Sequence, residues 1–217
     1  MSSSATDLIS DRAYAQLRER IVTLRLAPGT VLREDELMSE LAIGRTPLRE
    51  AIKRLALENL VAVQPRSGTY VTSVDAADIV HISEVRAELE ANAAELAARR
   101  LDEDTRERFE ALLERIANAE GSADQDALMG LDAAIHRLVW DASRNPYLTE
   151  TLERYFVLSL RIWYVMLDRV PGLGAAVLEH AELIEAILAG DADRAGALMH
   201  EHVVAFEREI MAAFDSG

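Results

Sequence analysis

The chain has 217 residues, half of them hydrophobic, and a formal net charge of −15. That apolar content excludes a disordered chain. The lack of any cysteine excludes disulfides, thiol nucleophiles and cysteine-ligated zinc, and suits a reducing cytosol. The polar start Met1–Thr6 lacks a signal-peptide pattern, and the most apolar stretch, Tyr155–Leu167, is short and broken by Arg161, so a soluble cytoplasmic protein is expected.

The acidity is uneven. Residues 1–74 carry a net +1 and residues 75–217 a net −16, which predicts two domains divided near Ser73–Ala76. In the first, Tyr14, Leu17, Ile21 and Leu24 form a helical stripe that Ala27-Pro28-Gly29 ends. A short helix follows over Glu34–Leu41, then a turn at Ala42-Ile43-Gly44. Thr46-Pro47 opens a third helix with Leu48, Ile52 and Leu55 on one face and Asn59 at its end. Val61–Val63 and Thr69–Val71 flank Gln64-Pro65-Arg66-Ser67-Gly68 and read as a β-hairpin. Three helices and a hairpin in this order predict a winged helix-turn-helix.

Arg45, Arg49 and Lys53 recur every four residues on the third helix and share a face opposite its apolar stripe. Such a face suits a major groove, with Thr46 adding a hydroxyl and Arg66 and Gly68 placed at a wing tip. The same row equally describes a solvated helix surface.

From Val74 onward the pattern is helical throughout. Expected helices run over Ala76–Arg100, Asp102–Glu120, Asp124–Ser143, Pro146–Val170, Gly174–Ala189 and Ala192–Phe214, giving an all-α bundle. Asp132 and His136 fall in or beside the stripe Leu128, Ile135, Val139. His180 falls among Val177, Ile184 and Ile187, and His202 between Leu198 and Ala205. A carboxylate and three imidazoles aimed at one core form a ligand set for a divalent metal. An Asp132–His136 ion pair with satisfied core histidines is the plainer alternative. Arg86 interrupts the stripe Ile79, Ile82, Leu89, Ala93, Leu96 and needs an anionic partner, either a ligand carboxylate or a protein carboxylate such as Glu90 or Asp132. Arg161, within Val157–Leu167, is a second candidate for a ligand, and could equally snorkel or pair across an interface.

Arg45-Thr46-Pro47-Leu48-Arg49-Glu50-Ala51-Ile52, then Leu55, Leu60-Val61 and Arg66-Ser67-Gly68-Thr69-Tyr70-Val71, resemble the GntR family of bacterial regulators, and Pro28-Gly29-Thr30 and Leu37 fit its first half. The resemblance implies operator contacts from Arg45, Thr46, Arg49 and Gly68, with Lys53, Arg66 and Arg33 as further candidates. Gly44 departs from the family's usual serine, and Asp35 from the basic residue some members carry. Asp132-x-x-x-His136, Asn145-Pro146-Tyr147-Leu148, Glu179-His180, Gly190-Asp191 and Met199-x-x-His202 resemble the effector (FCD-type) domain of the FadR-like branch. That likeness implies a divalent metal, zinc foremost with nickel or manganese as alternatives, on Asp132, His136, His180 and His202. It also implies a small organic acid as effector. A homodimer on palindromic operator DNA is expected, acting as a repressor and not as an enzyme. The rivals are a helical metal-dependent hydrolase or lyase, and a domain whose ion only braces the bundle.

Overall fold

In the computed structural model, residues 2–66, 68–122, 124–166 and 173–215 are described. The chain divides into two compact units, one running to Asp75 and including Leu160–Val165, the other comprising Ala76–Ser159 and the chain from Met166. Among the described residues no helix is long and apolar enough to cross a membrane.

In the first unit α1 (Ser2–Val22), α2 (Glu34–Leu41) and α3 (Arg45–Leu57) precede an antiparallel hairpin, β1 (Val61–Gln64) and β2 (Gly68–Val71), in register Val61 to Val71 and Gln64 to Gly68. Leu17, Ile21, Leu37, Leu48, Ile52 and Leu55 close the core. The α1 stripe stops short of Leu24, which takes a left-handed φ of 59° and is only half-buried. The amide of Leu26 then bonds the Arg20 carbonyl at 2.8 Å, so the chain turns back where periodicity alone carries the helix on. Leu32 donates to the Thr69 carbonyl at 2.8 Å and Val71 to Thr30 at 2.9 Å, so the segment after Gly29 lines the free edge of β2.

The second unit holds α4 (Ala76–Arg99), α5 (Glu103–Ala119), α6 (Gln125–Ala142), most of α7 (Pro146–Met166), α8 (Leu173–Leu188) and α9 (Ala192–Asp215). Asp102 and Thr105 form a reciprocal capping box at the start of α5, and Asp124 caps α6 by accepting from the Ala127 amide at 3.0 Å. Helix α4 runs along α9 and also meets α6 and α8. Small residues set the α4–α9 spacing, with Ala93, Ala94, Ala97 and Ala195 buried; a Cβ on Gly196 would lie 2.8 Å from Glu95 Cγ. The buried face of α4 differs from the expected heptad stripe. It runs through Ile79, Ile82, Ser83, Arg86, Ala87, Glu90, Ala93, Ala94 and Ala97, while Leu89 and Leu96 are half-buried. The close α9 backbone favours the alanine side of the helix over its bulkier leucines. The expected continuation of α7 to Val170, the Pro171-Gly172 break and Ser67 of the wing lie outside the described residues.

Candidate functional site

Two clusters carry the chemistry. On α3, Pro47, Leu48, Ala51, Ile52 and Leu55 are buried, which leaves Arg45, Thr46, Arg49 and Lys53 on the exposed side. Gly44 is the N-cap and offers no side-chain hydrogen bond, so the first amides of α3 stay open to an anion. Gly44 has φ −79°, and an added Cβ there would meet only Pro47 Cδ at 3.9 Å. Gly44→Ser is therefore expected to stabilise the fold by about 0.3 kcal/mol through a new cap, read as a slightly raised midpoint in chemical denaturation. At the hairpin tip Arg66 and Gly68 both have positive φ, 69° and 107°, the second a geometry that suits glycine. Arg66 is exposed and outside both strands.

The cationic row faces carboxylates from the first turn of α2. Arg49 Nε donates to both Glu34 oxygens at 3.1 Å, and Arg45 bonds Asp35 Oδ1 at 3.3 Å. Lys53 bonds Glu50 at 2.7 Å, and Arg33 lies 3.6 Å from Glu36. DNA phosphates would compete with these acids. Exposed pairs of this kind contribute at most about 1 kcal/mol, so Glu34→Gln is expected to tighten DNA binding about two- to five-fold, measured by fluorescence anisotropy at fixed salt.

In the second unit Asp132, His136, His180 and His202 each offer one ligand atom, and these atoms all lie within 4.8 Å of one another. Asp132 and His136 stand one turn apart on α6, His180 comes from α8 and His202 from α9. The imidazole centroids are 5.1 Å (His136–His180), 5.3 Å (His136–His202) and 4.2 Å (His180–His202) apart. Asp132 Oδ1 sits 3.8 Å from Nε2 of both His136 and His180, too far for a hydrogen bond. Those two nitrogens are buried without a hydrogen-bond partner. Burial pushes the His180 imidazole well below its ordinary pKa, and His202 and His136 push it further, while backbone groups of Val177 and Ala176 pull the other way. It is therefore a neutral imidazole at pH 7, the form that binds a metal. His202 is half-buried. Its Nδ1 lies 3.8 Å from Glu179, and the neighbouring His202 imidazole is the main influence holding that carboxyl below its usual range, against the opposing effect of burial. A cleft of about 250 Å³, lined by Glu179, His180, Leu183, Leu198, Glu201 and His202 among others, opens onto two of the imidazoles.

Arg86 is buried, and its partner is Glu90 Oε1, at 2.7 Å from Nε and 2.5 Å from Nη2. Glu90 is one of the protein carboxylates that the sequence offered as a partner for Arg86. Burial alone would raise the Glu90 pKa, but the charges and hydrogen bonds of Arg86 and His136 more than offset it and hold it at about 2. Glu90 Oε2 contacts His136 Nδ1 and accepts from Trp140 Nε1 at 3.3 Å. Sequence reasoning missed this bond to His136. The i, i+4 spacing of Arg86 and Glu90 signals that these two share a face and pair with each other, but nothing in it points to α6. Arg161 clusters with the first unit, where Nη1 donates to Thr72 Oγ1 at 2.7 Å and Nη2 to the Thr72 carbonyl.

A basic recognition helix beside a β-hairpin wing, followed by a helical domain, defines a class of DNA-binding transcriptional regulators. Residues 9–71 match the model described as bacterial regulatory proteins, gntR family, and residues 81–205 match the FCD domain. The HTH-type transcriptional repressor GlaR of Escherichia coli K12 is 30% identical over 200 residues, covering 88% of this chain and 90% of that one. The HTH-type transcriptional repressor RspR of the same strain is 27% identical over 198 residues, covering 91% and 87%. Among solved structures, E. coli McbR/YncC superposes with a TM-score of 0.81 at 22% identity, covering 96% of this chain and 98% of its own. The metal-free FCD domain of TM0439 aligns with a TM-score of 0.52 at 24% identity, covering 67% and 99%. The chain belongs to the GntR family of transcriptional regulators, with an FCD domain following its helix-turn-helix. It is a DNA-binding regulator and not an enzyme.

Proposed function

We propose that this chain is a metal-dependent, ligand-responsive repressor acting in the cytoplasm. Residues 1–74 read a palindromic operator as half of a homodimer, and residues 75–217 sense a small organic acid. Arg45, Thr46 and Arg49 enter the major groove, Lys53 and Arg33 hold flanking phosphates, and Arg66 and Gly68 bring the wing to the backbone. Asp132, His136, His180 and His202 hold a divalent ion, zinc first and nickel or manganese as alternatives.

The observation that carries the metal reading is the pair of buried, unpartnered Nε2 atoms of His136 and His180 beside one carboxylate. A buried polar group without a partner costs about 1–3 kcal/mol, and a cation would satisfy both nitrogens at once. When bound, the ion supplies a Lewis-acidic site able to hold one carboxylate. Charge balance favours that ligand class. The buried charges of Arg86, Glu90 and Asp132 come to −1, so a divalent ion leaves +1, which one carboxylate neutralises. Ligand binding then shifts operator affinity through its different affinity for two states of the protein.

A bracing role for the ion has one observation in its favour, because Arg86 is already matched by Glu90. The test is release of operator DNA by a panel of small hydroxy, sugar and dicarboxylic acids, using zinc-loaded and chelator-stripped protein. Release by one class of acid from the loaded protein alone supports the sensor. Metal-dependent melting with no acid response supports bracing.

A further inference from the structure

The fully buried Glu90 has no role in the ligand quartet, yet both its oxygens are engaged. Oε1 takes Arg86. Oε2 takes His136 Nδ1 and the Trp140 indole N–H. Because Trp140 can only donate and Glu90 is an ionised carboxylate held by a buried guanidinium, Oε2 acts as an acceptor. The His136 nitrogen facing it must therefore carry the hydrogen. A neutral imidazole with its proton on Nδ1 has its lone pair on Nε2, the atom 3.8 Å from Asp132 and without a hydrogen-bond partner.

We propose that Glu90, anchored by Arg86 and Trp140, is a positioning residue that locks His136 with its proton on Nδ1 and presents Nε2 to a divalent ion. This rests on reading the quartet as a metal site. Outer carboxylates of this kind fix the tautomer and ring orientation of a ligating histidine and raise its basicity, and their loss costs about 10- to 100-fold in metal affinity. Glu90 also adds a fixed negative charge beside the ion. Its removal disfavours the cation and favours a further anion. A general loosening of the fold would weaken the binding of both.

The experiment measures zinc affinity by chelator competition for the parent, Glu90→Gln and Trp140→Phe. It adds acetate affinity of the zinc-loaded proteins and long-range 1H–15N imidazole spectra of the metal-free ones, with His136 assigned by a His136→Asn variant. The parent is expected to show His136 protonated on Nδ1. Glu90→Gln should bind zinc about 10- to 100-fold more weakly, hold acetate more tightly once loaded with excess zinc, and spread His136 over both tautomers. Trp140→Phe keeps the carboxylate and should preserve the parent's tautomer. A parent protonated on Nε2, or Glu90→Gln binding zinc as the parent does, overturns the role of Glu90 and leaves the metal site standing. Once His136 is assigned, the parent spectrum decides the first point even if Glu90→Gln and Trp140→Phe fail to fold. A parent that takes up no zinc overturns the metal site and this role together.

Discussion

Replacing Asp132 and His180 together by alanine is expected to give a protein that no longer retains metal, against about one equivalent in the parent purified without chelator. The two side chains come from α6 and α8 and contribute two of the four ligand atoms that lie within 4.8 Å of one another. With two ligands gone, the remaining imidazoles offer too few donors to hold zinc against water. In the metal-free state the double variant loses the packing of the buried His180 ring, so it should melt below the parent even in chelator. The sign of the metal site is that this gap widens when zinc is added. At a hundred-fold excess over Kd, binding adds about 2.7 kcal/mol to the parent, a rise of about 5–10 °C for a chain of this length. Elemental analysis and calorimetric melting read the two arms. If the parent holds no metal and cannot be loaded with zinc, nickel or manganese, the quartet is a polar core network and the metal reading is gone, with DNA recognition untouched.

Arg49→Ala is expected to weaken operator binding about 5- to 150-fold, corresponding to the 1–3 kcal/mol of one forked arginine contact. Its side chain is 58% exposed and its only described partner is Glu34, so melting temperature and metal content should stay at the parent's values. Anisotropy titrations on a duplex selected from random sequence by the parent protein would read the loss, repeated across a salt series. A base contact makes the loss larger on the selected duplex than on scrambled DNA. A phosphate contact makes it uniform and lowers the slope of log K against log salt by about one. Unchanged affinity on both duplexes would mean that the row Arg45, Arg49, Lys53 is solvated surface, and the groove contacts would have to come from elsewhere on the unit.

Much of this was legible in the sequence because the two readouts involved are local. Leu48, Ile52 and Leu55 fix which side of α3 is buried, and the arginines follow by exclusion on a rigid helix. The four residues that the structure brings together were singled out in the same way, as polar residues within or beside apolar stripes. Periodicity gives the face of a helix but not its depth, and the misses arise there. On α4 a heptad through Leu89 and Leu96 competes with one through Glu90, Ala93 and Ala97, and only the close approach of α9 decides between them. On α9 the core runs through Ala195, Met199, Val203, Phe206 and Ile210, with Leu198 and Ala205 half-buried. His202 reaches the quartet from the border of that core, although the stripe first assigned to it lies off the true centre. The bond from His136 to Glu90 joins residues 46 apart in sequence, and no spacing rule announces a contact between helices.

The quartet draws its members from three helices, and the span from Asp132 to His202 encloses about 70 residues of chain. A link across a loop of that size restricts the unfolded ensemble by about 4 kcal/mol in the chain-entropy treatment applied to covalent cross-links and metal clips. A protein with no cysteine has no permanent staple of this kind. An ion on the quartet would be a removable one, engaged or released by the free metal concentration around it. The lifetime of the regulator against proteolysis would then follow metal supply.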